Sequence, residues 1–138
     1  MAKDPRREAG RLEQFVDYYG KVPTRAELAV EREVFGANAG INSYTTVPQA
    51  DLLAGALGLG PSMRVLDIGA GSGWPGLYLA EKTGCEMVLT DVPAAAIRRA
   101  KRSVNRQQRA RCQFVVASGT RLPFQPRSFD AVLHTDVL

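Results

Sequence analysis

The sequence predicts an α/β fold in which a parallel sheet follows a helical N-terminal segment. Beyond Met63, short apolar runs alternate with stretches rich in helix-forming residues, a pattern typical of strands joined by crossover helices. Before Met63, apolar residues recur at helical spacing. Glycines at positions 69, 71, 73 and 76 directly follow the first apolar run. We therefore expect two regions, residues 1–62 and residues 63–138.

Three helices are predicted in residues 1–62. The segment "RLEQFVDYYG" has apolar residues at i, i+3, i+4 and i+7 from Leu12, which predicts a helix ending at Gly20. The segment "TRAELAVEREVFG" opens with Thr24 and Glu27 in capping-box spacing. The segment "ANAGINSYTT" has no periodicity and predicts a loop, after which Thr46 can cap a third helix.

Four strands are predicted in residues 63–138. In chain order they are "RVLDIG", "CEMVLTD", "CQFVVAS" and "FDAVLHT". The helices "PGLYLAEKTG" and "AAAIRRAKRSVNRQQ" separate the first three, and the first of them is expected to begin at Pro75. The third link, "GTRLPFQPRS", has two prolines and is predicted to lack a full helix. Crossovers of this kind give parallel pairing.

Composition limits the class of protein. The chain has 138 residues, of which 45% are hydrophobic and 23% charged, as in an ordinary globular domain. It has no apolar run long enough to span a membrane and no leader-like N-terminus. Cys85 and Cys112 lack metal-ligand spacing, so we expect no metal and two reduced thiols in a cytoplasmic protein.

The glycine cluster indicates a ligand that lies close to the backbone. A glycine-rich turn leading into a helix presents bare amides and the positive end of the helix dipole, which suits a nucleotide-like ligand. Gly71, Gly73 and Gly76 fit the dinucleotide-binding spacing, and Asp91 follows twenty residues after Gly71. That frame starts two residues late, however, and Asp67 would repel a pyrophosphate. An acidic residue there favours an ammonium or sulfonium group instead.

The chain resembles the class I S-adenosylmethionine-dependent methyltransferases, whose hallmark is an acidic residue followed by G-x-G-x-G. Asp67, Gly69, Gly71 and Gly73 match that motif, and the segments "MVLTDV", "FVVASGTRLPF" and "FDAVLHTDVL" extend the resemblance, which is closest to the type 11 methyltransferases. The resemblance implies a Rossmann-like, mostly parallel sheet of seven strands ordered 3-2-1-4-5-7-6. The chain supplies only strands 3-2-1-4, so we expect it to be truncated, with the second half missing.

The resemblance also implies roles for individual residues. The motif glycines would meet the methionine part and the ribose of S-adenosyl-L-methionine, and Asp67 would lie near its amino group and sulfonium. Asp91 would accept hydrogen bonds from the two ribose hydroxyls, and Val92 would pack on the adenine. For Asp91 the alternative is a cap of the helix that follows.

Two further cofactor contacts are expected. Relatives with "LPF" usually read D-A-x-x-L-P-F, whereas this chain has Ser118 in place of the aspartate. Ser118 and Gly119 would contact the adenine through a neutral and weaker hydrogen bond, and a plain turn is the alternative. Tyr44 and Thr45 would contact the methionine end as part of a lid, or else belong to an exposed loop.

His134, the sole histidine, follows the fourth predicted strand. Relatives place a residue beside the methyl group there, so His134 is the candidate catalytic base. The alternative is a histidine satisfied by hydrogen bonds that only lines the pocket. Asp136 could orient His134 or the substrate, or cap a helix.

The function predicted is methyl transfer to an unidentified acceptor, for which the family default is a small molecule. The alternatives are an NAD-dependent oxidoreductase and a non-catalytic cofactor-binding fragment. Residues 98–111 contain seven basic residues and no acidic one, but no aromatic residue is interleaved for base stacking. A solvated helix face is therefore favoured over nucleic-acid binding. An unpaired fourth strand would also favour a dimer or an aggregate.

Overall fold

The computed structural model describes residues 5–36 and 43–135, and these form three helices followed by an α/β unit. Part of the predicted loop before the third helix and Asp136 lie outside the described residues. The elements in chain order are α1 (Pro5–Gly20), α2 (Arg25–Phe35), α3 (Val47–Leu57), β1 (Arg64–Ile68), α4 (Gly76–Thr83), β2 (Glu86–Asp91), α5 (Ala94–Ser103), α6 (Arg106–Arg109), β3 (Cys112–Val116) and β4 (Ala131–Leu133).

The predicted sheet topology is confirmed. The four strands are ordered β3-β2-β1-β4, and every pairing is parallel. Leu66 of β1 is in register with Val88 of β2 on one side and with Val132 of β4 on the other. The carboxyl ends of all four strands therefore meet at one edge of the sheet, where the glycine cluster begins.

Helix ends agree with the capping signals in the sequence. Thr24 and Glu27 form the predicted capping box of α2, with a Thr24 N–Glu27 Oε2 distance of 2.7 Å. The second predicted crossover helix differs, because it breaks after Ser103 into α5 and the single turn α6. Asn105 and Gln108 form a capping box of their own, and this local hydrogen bonding competes with a continuous helix.

One apolar cluster joins the sheet to α3 and α4. Val65, Met87 and Leu89 are completely buried in it, together with Leu79 of α4 and Ala50 of α3. α5 packs against β2 and β3, and α1 lies against α5. Within the described residues, no helix is both long enough and apolar enough to cross a membrane.

The basic residues of α5 and α6 lie on the flank of the sheet. Most of them are exposed, and the Arg109 guanidinium donates to the carbonyl of Lys101 at 3.2 Å. None of the basic residues from 98 to 111 lines the cavity at the end of the sheet. Their placement agrees with a solvated helix face.

Candidate functional site

A cavity of about 530 Å³ opens at the carboxyl end of the sheet. It is bounded by the loop after β1, by the residues that follow β2, β3 and β4, and by α1. Open parallel sheets bind their ligands at this edge, and the volume is in the range of small-molecule sites. Its walls contain Gly69, Ala70, Gly71, Ser72, Trp74, Asp91, Val92, Pro93, Ser118 and Thr135, and on the outer side Ala9, Arg11, Leu12, Phe15, Tyr19 and Ser43.

The glycine loop is tied to β2 by backbone hydrogen bonds. The amides of Gly69 and Ala70 donate to the carbonyl of Thr90 at 2.8 and 3.0 Å. Gly71 follows with a φ of +54° and donates its amide to Asp91 Oδ2 at 2.7 Å. A Cβ at position 71 would lie 2.6 Å from the hydroxyl oxygen of Tyr19. Glycine is required here by both conformation and space.

Asp91 is the anionic group of the inner wall. Its Oδ2 accepts from the Gly71 amide and its Oδ1 from the Val92 amide, both at 2.7 Å. Burial raises the pKa of Asp91, and these two amides act in the opposite direction. The N-cap of α5 is Pro93, so the alternative role of Asp91 as the cap of this helix is wrong. Its carboxylate can accept further hydrogen bonds from ligand hydroxyls.

Asp67 lies behind the cavity wall. Its side chain is 1% exposed and faces the start of α4, where a Cβ on Gly76 would overlap Asp67 Oδ2. Oδ2 has no hydrogen-bond partner among the described residues. Burial raises the pKa of Asp67 to about 7, the charge of Asp91 acts in the same direction, and the amide of Gly76 offsets part of the effect.

The position of Asp67 bears on the dinucleotide alternative. In a dinucleotide site the pyrophosphate lies at the N-terminus of the first crossover helix. Here the protein's own carboxyl group lies at that helix start, against Gly76. Once ionised, this carboxyl group would repel a second anion there. Gly73 also does not line the cavity. The side of its α-carbon that would carry a Cβ faces Leu77 and Ala100 instead.

The outer wall of the cavity is α1, which the sequence did not assign to the site. Leu12, Phe15 and Tyr19 line the cavity together with Arg11. The sequence predicts the periodic apolar face of this helix, but periodicity does not distinguish a face that packs on the core from one that borders a ligand site. Among the described wall residues, Arg11 and Asp91 are the charged ones.

Ser118 lies on the cavity wall and also forms a turn. Its carbonyl accepts from the Arg121 amide at 2.9 Å, and its hydroxyl lies 2.9 Å from that of Thr120. The turn and the adenine contact are therefore compatible. Gly119 does not line the cavity, and a Cβ there would lie 2.9 Å from Ile68 Cγ2.

The structure does not bring Tyr44 and Thr45 into this cavity. Tyr44 is 88% exposed, and Thr45 is buried. The carbonyl of Thr45 accepts a hydrogen bond from the indole of Trp74 at 2.8 Å, but Thr45 itself does not line the cavity. Its neighbour Ser43 is the residue of the segment that lines the cavity.

His134 is exposed and lies beside the cavity. Its Nδ1 donates to the carbonyl of Ile68 at 3.2 Å, and the next residue, Thr135, reaches the wall. When Nδ1 carries the proton, Nε2 of the neutral ring is the basic atom. The hydrogen bond is the one expected for a satisfied histidine, and it leaves a basic nitrogen on the same ring.

A family model matches the α/β part of the chain, and curated relatives match more than half of it. Residues 65–138, more than half of the chain, match the family model described as "Methyltransferase domain". A demethylmenaquinone methyltransferase of Beutenbergia cavernae is 40% identical over 77 residues, which are 56% of this chain and 30% of that protein. An uncharacterized protein of Mycobacterium tuberculosis is 37% identical over 86 residues, or 62% of this chain and 31% of that protein. The chain thus spans about a third of the length of these curated relatives.

A solved structure extends the similarity into the N-terminal helices. Phosphoethanolamine N-methyltransferase 2 of Haemonchus contortus, in complex with phosphomonomethylethanolamine and S-adenosylhomocysteine, is 24% identical with a TM-score of 0.67. The match covers 88% of this chain and 29% of that one. It supports the Rossmann-like fold.

Proposed function

Because the chain belongs to the methyltransferase domain family, we propose that the protein is an S-adenosylmethionine-dependent methyltransferase acting on a small molecule. The observation that carries this proposal is that the Asp91 carboxylate and the bare backbone of Gly69 and Gly71 line one cavity. That wall fits a ligand that has ribose hydroxyls facing Asp91 and a short extension lying against the backbone of Gly69 and Gly71.

Five of the predicted residues would hold the cofactor. Asp91 would accept from the ribose hydroxyls, Val92 would pack on the adenine, and Ser118 would bind the edge of the adenine. Gly69 and Gly71 would allow the backbone to approach the ligand. When bound, S-adenosylmethionine supplies a methyl group on a positively charged sulfur. Asp67, behind the glycine loop, would favour that charge only at a distance.

The protein's part in the transfer is mainly positioning. Methyl transfer requires an in-line approach of acceptor and methyl group, which a preformed cavity provides. His134 Nε2 is the proposed acceptor of a proton from the substrate, with its ring oriented by the Ile68 carbonyl.

The buried free thiols of Cys85 and Cys112 support a reducing compartment, for which we propose the cytoplasm.

The first test compares two ligands. At pH 8, where Asp67 is ionised, S-adenosylhomocysteine should bind at least about tenfold more tightly than NADH, a difference of about 1.4 kcal/mol. The reason is that the Asp67 carboxylate then lies at the start of α4, where it would repel the pyrophosphate of NADH. Isothermal titration calorimetry of both ligands against the same preparation measures this. Tighter binding of NADH would contradict the proposed function. If S-adenosylhomocysteine binds more tightly, a methyl-release assay with S-adenosylmethionine then separates a transferase from a non-catalytic cofactor-binding fragment.

The second test concerns the free edge of β4. We propose that this edge pairs with a second copy of the chain. In the described sheet β4 pairs only with β1, and Val132 is 52% exposed. No lysine or proline blunts Ala131–Leu133. At micromolar concentration the chain should therefore scatter light as a dimer or a larger species, and Val132→Lys should restore the monomer. A monodisperse wild-type monomer would contradict the pairing.

A further inference from the structure

Tyr19 joins the outer wall of the cavity to the glycine loop. Its side chain is 9% exposed, whereas Leu12, Phe15 and Val16 on the same helix are 38–45% exposed. Its hydroxyl faces the α-carbon of Gly71, on the side where a side chain would project, and a Cβ there would lie only 2.6 Å from the hydroxyl oxygen. Gly71 in turn donates its amide to Asp91. One aromatic side chain thus connects α1, the glycine loop and the anionic group of the inner wall.

The rest of α1 is only partly covered. The ring of Phe15 stacks on that of Tyr19 with centroids 6.4 Å apart, and Phe15 and Leu12 both border the cavity. When a ligand covers apolar surface that is exposed beside a cavity, the removal of that surface from water stabilises the complex. A bound ligand would therefore hold the N-terminal part of α1 in place, with Tyr19 as the fixed point.

We propose that Tyr19 is a positioning residue of the cofactor site, whose ring on Gly71 holds α1 as the outer wall and slows departure of the bound ligand. This inference rests on the proposed function, since it requires that the cavity binds the cofactor or its product. It adds a role for a residue in the N-terminal helix, outside the motif that carries the family resemblance.

The test uses two adjacent tyrosines of one helix. Tyr18 contacts the ring of Tyr19 edge-on at 5.3 Å but lines a separate groove between α1 and α2, so Tyr18→Ala is the matched control. Tyr19→Ala should raise the dissociation rate of S-adenosylhomocysteine about tenfold and leave the association rate within about twofold, as is usual for the loss of binding contacts. Stopped-flow fluorescence of Trp74, the single tryptophan and a cavity residue, measures both rates. Tyr18→Ala should keep the wild-type values.

A second readout separates positioning from a loss of folding. Binding of S-adenosylhomocysteine should slow amide exchange within residues 9–20 of the wild type and of Tyr18→Ala, but not of Tyr19→Ala. If Tyr19→Ala does not fold, Tyr19→Phe takes its place. That variant keeps the ring and loses only the hydroxyl beside Gly71, so its dissociation rate should lie between the wild-type rate and the rate about tenfold higher that is expected for Tyr19→Ala. Wild-type rates in the folded Tyr19 variants would overturn the role of Tyr19 alone, whereas a wild-type chain that does not bind S-adenosylhomocysteine would overturn the proposed function with it.

Discussion

Asp91→Ala should weaken the binding of S-adenosylhomocysteine by roughly ten- to a hundredfold. Hydrogen bonds to a charged acceptor contribute about 1.5–3 kcal/mol, and each 1.4 kcal/mol is about a factor of ten in affinity. The Asp91 carboxylate faces the cavity while accepting from the amides of Gly71 and Val92. The substitution removes the acceptor for the ribose and the anchor of the glycine loop together. Calorimetric titration measures the loss.

Asp91→Asn divides these two contributions. The asparagine carbonyl can still accept one backbone hydrogen bond, but it carries no charge and its amide nitrogen donates. Its affinity should lie between those of the wild type and the alanine variant. Wild-type affinity in Asp91→Ala would show that the ligand does not use this carboxylate.

Asp67 should make the chain less stable as the pH rises from about 4 to about 7. Its pKa in the folded protein is raised from 3.8 to about 7 by burial, so in this interval the folded state binds more protons than the unfolded state. Stability then falls with pH. The upper limit is roughly 1.4 kcal/mol per pH unit, and the loss should level off above pH 7. Below about pH 4, where Asp67 is protonated in both the folded and the unfolded state, its stabilising contribution to the free energy of unfolding is fully present.

Urea unfolding at several pH values measures this slope. Asp67→Asn, which cannot ionise, should flatten it and should be more stable than the wild type at pH 8. Asp130→Asn is the matched control, because Asp130 lies at the opposite end of β1 and accepts from the Arg64 amide at 2.7 Å. That variant retains Asp67 and so should retain the slope. Equal slopes in the wild type and Asp67→Asn would place the titration elsewhere.

The elements of the fold were predictable because their signals are local. Capping at Thr24, the helix end at Gly20 and the apolar runs of the strands all depend on neighbours in sequence. Boundaries differed where local effects compete. α4 begins at Gly76 rather than at Pro75, and β4 is three residues long. Among the described strands, β4 pairs with β1 alone.

The candidate site was predictable only on its inner wall. Gly69, Gly71, Asp91, Val92 and Ser118 follow strand ends, and parallel strands bring their carboxyl ends together whatever the tertiary detail. The outer wall depends on how α1 packs against α5, which is a contact between distant segments. A helical apolar face alone does not specify its neighbour. For the same reason the sequence placed Tyr44 and Thr45 at the cofactor, whereas neither lines the cavity in the structure.

The position of β1 in the middle of the sheet has a consequence for the order of assembly. β1 meets β2 about twenty residues later in the chain, as the Gly71–Asp91 hydrogen bond shows, but its contact with the β4 side spans 66 residues. Closing a longer loop costs more conformational entropy, and a chain is synthesised at roughly 5–20 residues per second. We therefore expect β1, β2 and β3 to pair while the rest of the chain is still being made. The glycine loop and Asp91 would then be in place seconds before Thr135, so the inner wall would form from the centre of the sheet outwards.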